Sequence, residues 1–512
     1  MKKASTLLLI IAIFALTAIS LNAAEIASGT CGVDLSWTLN DAGTLIISGT
    51  GAMDNDWPSN YDLVPWKQHR SRIVNVIVED GVTTIGDGAF SNCLNLKSIT
   101  LPEGITYLGS HSLQYCSQLT DIQLPKSLVY IGKMALYHTS LSEIVVPDNA
   151  SLEMQSVSYI PTLKNVHLGK ETYLIDYFNF VDLPMLEKIT VDAQNPYYES
   201  DEYGVLYLKG KKTLLKYPMN SPLEAYVIPD TVNTISSNAF SHANNIKKVT
   251  IPSSVVKLED GAFGYCRKIS DIRIPDSVTY IGSSAFSGMD GITSIIIPDS
   301  VKTLRSAFTL CRNLKTVKIG SGVETMDIAP FMYCESLERI SVHPDNQSFS
   351  SDEYGALFNK NKTVMIAYPP ENKSSKYVIP STVKTIENQA FRSAKHLNEI
   401  IIPNSVTIIH NGAFFECQGL ESIILGRNVN FIDSFAFYDC NSIKNIYYYL
   451  NKESFGEIII LHGNDYIFNA NLITDFTSLP GDTDGNGEFN LDDIVYTYRF
   501  FAGIMEKFDT YK

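Results

Sequence analysis

A phrase of about 23 residues returns along most of this 512-residue chain, and a period of that length fixes the fold class before any single residue is weighed. It is clearest as VTYIGSSAFSGMDGI, Val278 to Ile292, with Ile295, Ile297 and Pro298 following. Pro229, Pro252, Pro275 and Pro298 fall 23 apart, as do Pro102 and Pro125, or Pro380 and Pro403. The pairs Ala239-Phe240, Ala262-Phe263 and Ala285-Phe286 keep the same step. Within a unit the apolar residues hold fixed offsets (Val255, Leu258, Phe263, Cys266, Ile269, Ile272, Ile274), and neither a helical nor a strand period runs through it. The pattern predicts a solenoid: one short parallel strand ending at the Pro, a turn, and an irregular or short helical return carrying Ala-Phe. Such a coil cannot bury its own face and is stable only when stacked.

These residues resemble the BspA-like leucine-rich repeat surface proteins, whose units read IPDSVTxIGxxAFxxCxxLxxIxI. The resemblance covers residues 73–470 and implies a leucine-rich repeat solenoid. A larger period lies inside it. Asp201-Glu202-Tyr203-Gly204 returns as Asp352-Glu353-Tyr354-Gly355, and Tyr226-Val227-Ile228-Pro229 as Tyr377-Val378-Ile379-Pro380, at an offset of 151, so a block of coils was duplicated. In both copies the DEYG stretch and the Lys-rich turn after it (Lys209–Lys212, Lys360–Lys362) fit a hairpin inserted between coils. Residues 25–72 read as an N-terminal capping segment, with a β-hairpin over Cys31 to Met53 around an Asp-Ala-Gly turn. Residues 446–471 leave the phase and resemble the family's closing unit.

The net charge of -15 opposes a nucleic-acid or anionic-membrane partner, because such binding draws most of its affinity from Lys and Arg. Residues 1–24 have the basic start, apolar core (Leu7 to Ile19) and small-residue end of a secretory signal peptide, which places the protein outside the cell, secreted or held at its surface. No later stretch has the ~20 apolar residues of a spanning helix. Eight cysteines in a secreted chain usually imply disulfides. Here seven of them, Cys93, Cys116, Cys266, Cys311, Cys334, Cys417 and Cys440, share one repeat position, where other coils carry Ala243 or Met289, so they are expected to be buried free thiols.

After a linker at 471–479, residues 480–512 carry the one stretch with metal chemistry. Asp482, Asp484, Asn486 and Asp493 occupy positions 1, 3, 5 and 12 of a calcium loop; Glu488 supplies a backbone carbonyl at 7 and Asn490 acts at 9. Ile494, Val495, Tyr498 and Phe501 give the following helix, which runs to Gly503, an apolar face. Preceded by Pro480-Gly481 and closed by Asp rather than Glu, the loop resembles a single type I dockerin repeat, an EF-hand-like module. The resemblance implies a cohesin-bearing scaffold protein as partner, with Leu491, Asp492, Tyr498 and Arg499 at the recognition positions, in the setting of a polysaccharide-degrading complex. A full dockerin has two repeats and this chain has one.

The nine His residues are scattered, and no Cys-x-x-Cys, nucleophile elbow or phosphate-cradling loop is present, so the chain is read as no enzyme. Binding by surface remains. The outward strand positions Thr100, Gln123, Thr250, Arg273, Lys318, Ile401 and Ile424 form a mixed row with exposed apolar members toward the C-terminal half, extended by Tyr447 and Tyr449 as partner-binding residues. The function expected is noncatalytic binding of a protein or glycan, with the calcium module as tether. The alternatives are a structural spacer without a specific ligand and, further off, a polysaccharide-acting enzyme.

Overall fold

The structure is a computed structural model and describes residues 23–55, 63–174, 179–448 and 450–474. The chain forms two compact units, one reaching Leu223 and including Ala243–Asn245, the other made of Glu224–His242 and the chain from Ile246 onward. Among the described residues α-helix is confined to Lys452–Gly456 and Asp465–Asn469. No helix among them is long and apolar enough to cross a membrane.

The first unit opens with an antiparallel meander, Glu25–Gly32, Leu35–Asn40 and Thr44–Gly49. Its last strand pairs in parallel with Asn75–Val78, which pairs with Ser98–Thr100. From there most coils contribute to two ladders. The strand before the Pro is one, as in Glu143–Val146 against Asn165–Leu168 and Lys188–Val191. The second is a two-residue strand beyond the turn, where Tyr107, Tyr130, Ser151 and Tyr173 stack in register. One strand per coil was expected. The second is too short to show a period in sequence and is set by backbone pairing between coils.

The Ala-Phe return is not helical. It is a run of turns in which Ala89, Ser91 and Cys93 donate amides to carbonyls three residues back, while the alternate amides of Gly88, Phe90 and Asn92 donate to Ser110, Ser112 and Gln114 of the next coil. Alternation of this kind needs left-handed residues at two places per return, such as His111 (φ 57°) and Tyr115 (φ 61°). Each costs about 1 kcal/mol in an L-residue, and the intercoil hydrogen bonds hold it there.

The second unit stacks the same parts. Rings of Phe240, Phe263, Phe286 and Phe308 lie 4.8, 5.5 and 5.1 Å apart, nearly parallel, all buried. The eight cysteines are free and buried. Their repeat position has a use beyond volume: the Cys266 thiol donates to the Phe240 carbonyl at 2.9 Å, and Cys417 and Cys440 donate to Phe391 and Phe414 at 2.9 Å. Burial pushes the Cys93 thiol up to about 12, which keeps it protonated and inert.

Each duplicated block carries a three-stranded antiparallel insert rather than a lone hairpin. In the first unit it is Tyr198–Ser200, Leu206–Leu208 and Thr213–Lys216; in the second, Phe349–Ser351, Leu357–Asn359 and Val364–Ala367. A fully buried asparagine starts each. Asn346 Nδ2 donates to the Gly320 and Val323 carbonyls at 2.9 and 3.0 Å, and its Oδ1 accepts the amides of Ser348 and Phe349 at 2.9 and 2.7 Å. Asn195 makes the same four bonds to Gly169, Thr172, Tyr197 and Tyr198. The final ladder runs Lys376–Val378, Glu399–Ile402, Ser422–Leu425, Asn445–Tyr448, Asn471–Ile473. Asn471–Ile473 pairs in parallel with Asn445–Tyr448, so the linker expected at 471–479 begins after Ile473.

Candidate functional site

Outward strand positions are set by the pleat, since alternate residues of each strand leave the core. Thr100, Gln123, Thr250, Arg273 and Lys318 are exposed, as expected. The expected exposed apolar members are not where the sequence put them. Ile401 is 3% exposed and Ile424 half-buried, whereas Val145, Val227 and Ile296 are 55, 69 and 62% exposed. The reason lies in the neighbours. Ile401 stands in register between Val378 and Ile424, with Tyr447 and Ile473 continuing the column, while Ile296 is followed by Lys318 and Ser341. Tyr447 is half-buried in this column, and Tyr449 lies outside the described residues. Asp482, Asp484, Asn486, Glu488, Asn490, Leu491, Asp492, Asp493, Tyr498 and Arg499 also lie outside them.

A second surface is built by the returns of the second unit, and sequence reading missed it. The inserted strands lack an Ala-Phe turn, and Tyr368 fills the rung. Its ring stacks 5.0 Å from Phe391 and its amide donates to the Ala390 carbonyl at 2.6 Å. Over this thinner rung opens a small, shallow cleft of about 70 Å³, lined among others by Tyr333, Glu335, Tyr368, Gln389, Arg392 and Glu416. Arg392 is its organising group. The guanidinium lies 4.6 Å from the Tyr333 ring centre and 4.3 Å from that of Phe415. In the plane it donates to Gln389 Oε1 at 2.9 Å and Glu416 Oε2 at 2.8 Å, and Ser393 Oγ also donates to Glu416. Two rings within 4.6 Å and two acceptors restrain the side chain. Tyr333, Gln389, Ser393 and Glu416 all occupy left-handed return positions, with φ between 54 and 63°.

Beside the cleft Glu371 accepts from Lys373 at 2.7 Å and Lys395 at 2.9 Å and lies 3.1 Å from His396, and these partners hold its carboxyl down at about 2. The aromatic stripe continues from Phe415 to Tyr438, 5.0 Å on, and to Phe435. Tyr333, Phe435 and Tyr438 are exposed at their outer edges. A fixed cation, neighbouring carboxylates, an amide and phenols form a hydrogen-bonding and packing surface. Among the described residues no cluster of three or more His, Cys, Asp or Glu is placed to hold a metal.

The repeat geometry agrees with the family comparison. The model of the BspA type leucine rich repeat region, in six copies, matches residues 68–164, 218–354 and 368–477. The chain belongs to the BspA type leucine-rich repeat family. Among solved structures, this BspA type chain is similar to a leucine-rich repeat protein of Eubacterium ventriosum, 25% identical, over 81% of this chain and 95% of that one, with a TM-score of 0.43. It is also similar to a leucine rich cell surface protein of Faecalibacterium prausnitzii, 24% identical, over 62% of this chain and 95% of that one, with a TM-score of 0.47. A leucine-rich repeat protein of Bacteroides ovatus is 18% identical over 88% of this chain and 98% of its own length, with a TM-score of 0.37. No curated protein matches the chain.

Proposed function

We propose that this BspA type chain is an extracellular, noncatalytic binding protein that engages a protein or glycan through the return face of its second unit. The observation that carries the reading is Arg392, held against the rings of Tyr333 and Phe415 in the lining of the cleft, with exposed Tyr438 5.0 Å beyond Phe415. Tyr and Arg held rigid before binding lose little side-chain entropy on contact, and they dominate measured hot spots. That composition favours a protein ligand over a glycan. The leader-like residues 1–24 support secretion. The oxygen ligands Asp482, Asp484, Asn486 and Asp493 support calcium binding by the C-terminal segment, and the dockerin resemblance supports a cohesin-bearing scaffold as its anchor.

A capture experiment with the mature chain and co-secreted and surface proteins tests both halves, run with calcium, with chelator, with Asp482→Ala plus Asp493→Ala, and with Tyr333→Ala plus Arg392→Ala. The expected result is a cohesin-bearing protein lost with chelator and in the first double variant, and a separate ligand lost only in the second. A ligand retained by the Tyr333/Arg392 variant would overturn the return-face assignment. Release of reducing ends from a glycan panel would overturn the noncatalytic reading.

A further inference from the structure

We propose that the return face of the first unit carries a second binding site, separate from the Arg392 cleft, for a neutral glycan. Its core is a cluster of four rings on three successive coils. Tyr115, His138 and Tyr159 occupy one left-handed return position, with φ of 61, 57 and 56°, so their side chains leave the solenoid in one column. The ring centres of Tyr115 and His138 lie 5.1 Å apart and those of His138 and Tyr159 5.8 Å, with planes within 29° of parallel. Tyr137 lies crosswise. Its plane stands 86° from that of Tyr115 and 69° from that of His138, and its centre is 4.8 Å from that of Tyr159. Hydrogen bonds between coils fix this platform, since the Tyr115 amide donates to the Tyr137 carbonyl at 2.9 Å and the Tyr159 amide to that of Val181 at 2.8 Å. None of the four rings is buried, and Tyr115 is 39% exposed.

The chemistry of the exposed groups selects the ligand. Tyrosines elsewhere use their hydroxyls inside the protein, as Tyr368 does on Asn372 and Tyr377 on Asp352. Among the described residues no hydrogen bond reaches the hydroxyls of Tyr115, Tyr137 and Tyr159 or the ring nitrogens of His138. Gln114 and Gln155 stand half-buried on the same returns. Phenol and amide groups and a neutral imidazole can each both donate and accept a hydrogen bond, as every hydroxyl of a sugar does. At the second-unit cleft, by contrast, Arg392 only donates and Glu416 only accepts, which suits the charged groups of a protein. Formal charge on the first-unit returns stands at the edges: Asp182 on the next coil, and Lys133, whose amide donates to Glu153 at 3.2 Å, at the turn into the return. A neutral ligand thus leaves no charge unpaired there and packs its C–H groups on electron-rich rings. Two coil steps of about 4.8 Å make the column about 10 Å long, more than one sugar ring, so the ligand is a chain of sugars. Rings already held in place lose little entropy on contact.

The test is affinity electrophoresis and calorimetry of the full mature chain against four neutral polysaccharides: galactomannan, arabinoxylan, mixed-linkage β-glucan and amylopectin. Polygalacturonate and chitosan supply the charged counterparts. At least one neutral polymer is expected to bind, with affinity reduced about tenfold or more by Tyr115→Ala plus Tyr137→Ala. Tyr115→Phe plus Tyr159→Phe keeps the rings and the packing, and its expected loss is about fivefold from the missing hydroxyls. This pair decides the matter if the alanine variant does not fold. Tyr333→Ala plus Arg392→Ala is expected to leave glycan affinity unchanged, which separates this site from the second-unit reading. Binding to none of the neutral polymers, or to the charged ones alone, would overturn the proposal. So would a glycan affinity indifferent to the tyrosine substitutions or lost in the Tyr333/Arg392 variant. Capture of a protein ligand abolished by the Tyr115/Tyr137 substitutions would overturn it too, by making the occupant a protein.

Discussion

The two duplicated blocks share a framework and differ in what they display. At the offset of 151 the anchors agree: Asn195 with Asn346, Asp201 with Asp352, Gly204 with Gly355. Return positions at the same offset do not: Asp182 stands for Tyr333, Ser241 for Arg392, Gly264 for Phe415 and Tyr265 for Glu416. These three kept residues are ones whose polar atoms accept or donate backbone hydrogen bonds or whose backbone is left-handed without room for a side chain. Residues that changed edge the return surface. The scaffold therefore depends on a few buried anchors, and its surface chemistry can be rewritten coil by coil without touching them.

That comparison can be broken at its anchors first. Asn346→Ala leaves two carbonyls and two amides without partners in a dry site, and a loss of about 3 kcal/mol is expected in urea unfolding. Asn195→Ala should lose the same amount; a much smaller loss in one copy would show that the two inserts are not held alike. Gly355 comes next. It has φ 79°, and a Cβ there would stand 2.7 Å from Arg339 Cγ and 3.0 Å from Arg339 Cα. Gly355→Ala should cost about 2 kcal/mol, and Gly204→Ala, at φ 80° against Lys188, as much.

Smaller effects sharpen the difference within the second unit. Tyr377 Oη donates to Asp352 Oδ2 at 2.6 Å, and its buried phenol is pushed up by desolvation and by that carboxylate. Tyr377→Phe is expected to cost about 1 kcal/mol, read in the same unfolding experiment. The smallest effect is electrostatic. Glu371 is held at about 2, below its ordinary 4.5, so it stabilises the folded state above pH 4.5, and that contribution is lost as pH falls toward 2. Glu371→Gln should flatten the stability profile over that window, with a loss that is modest for a partly exposed ion cluster, full at pH 7 and gone near pH 2.

Much of the fold is legible in the residues because the repeat is covalent information. Pro229 to Pro298, the Ala-Phe pairs and the Cys position mark the coils without reference to any contact. The second strand at Tyr107–Leu108 is not legible, since two residues carry no period. Nor is the left-handed backbone at Tyr115, His138 or Glu416, where no Gly marks it and intercoil hydrogen bonds impose it. Asn346 was readable in principle, as it recurs at the duplication offset, but nothing in its residue type separates an anchor from an ordinary turn asparagine.

By itself the sequence determined the solenoid class, the coil boundaries, the duplicated block and the shared burial of the cysteines, because stacking makes every property of one coil recur at a fixed spacing. Tertiary structure decided the rest. Arg392 meets Tyr333 across an inserted block of strands, and Ile401 is covered while Ile296 is not, because side-chain environment in a solenoid is set by the neighbouring coils and not by the residue's own place in the repeat.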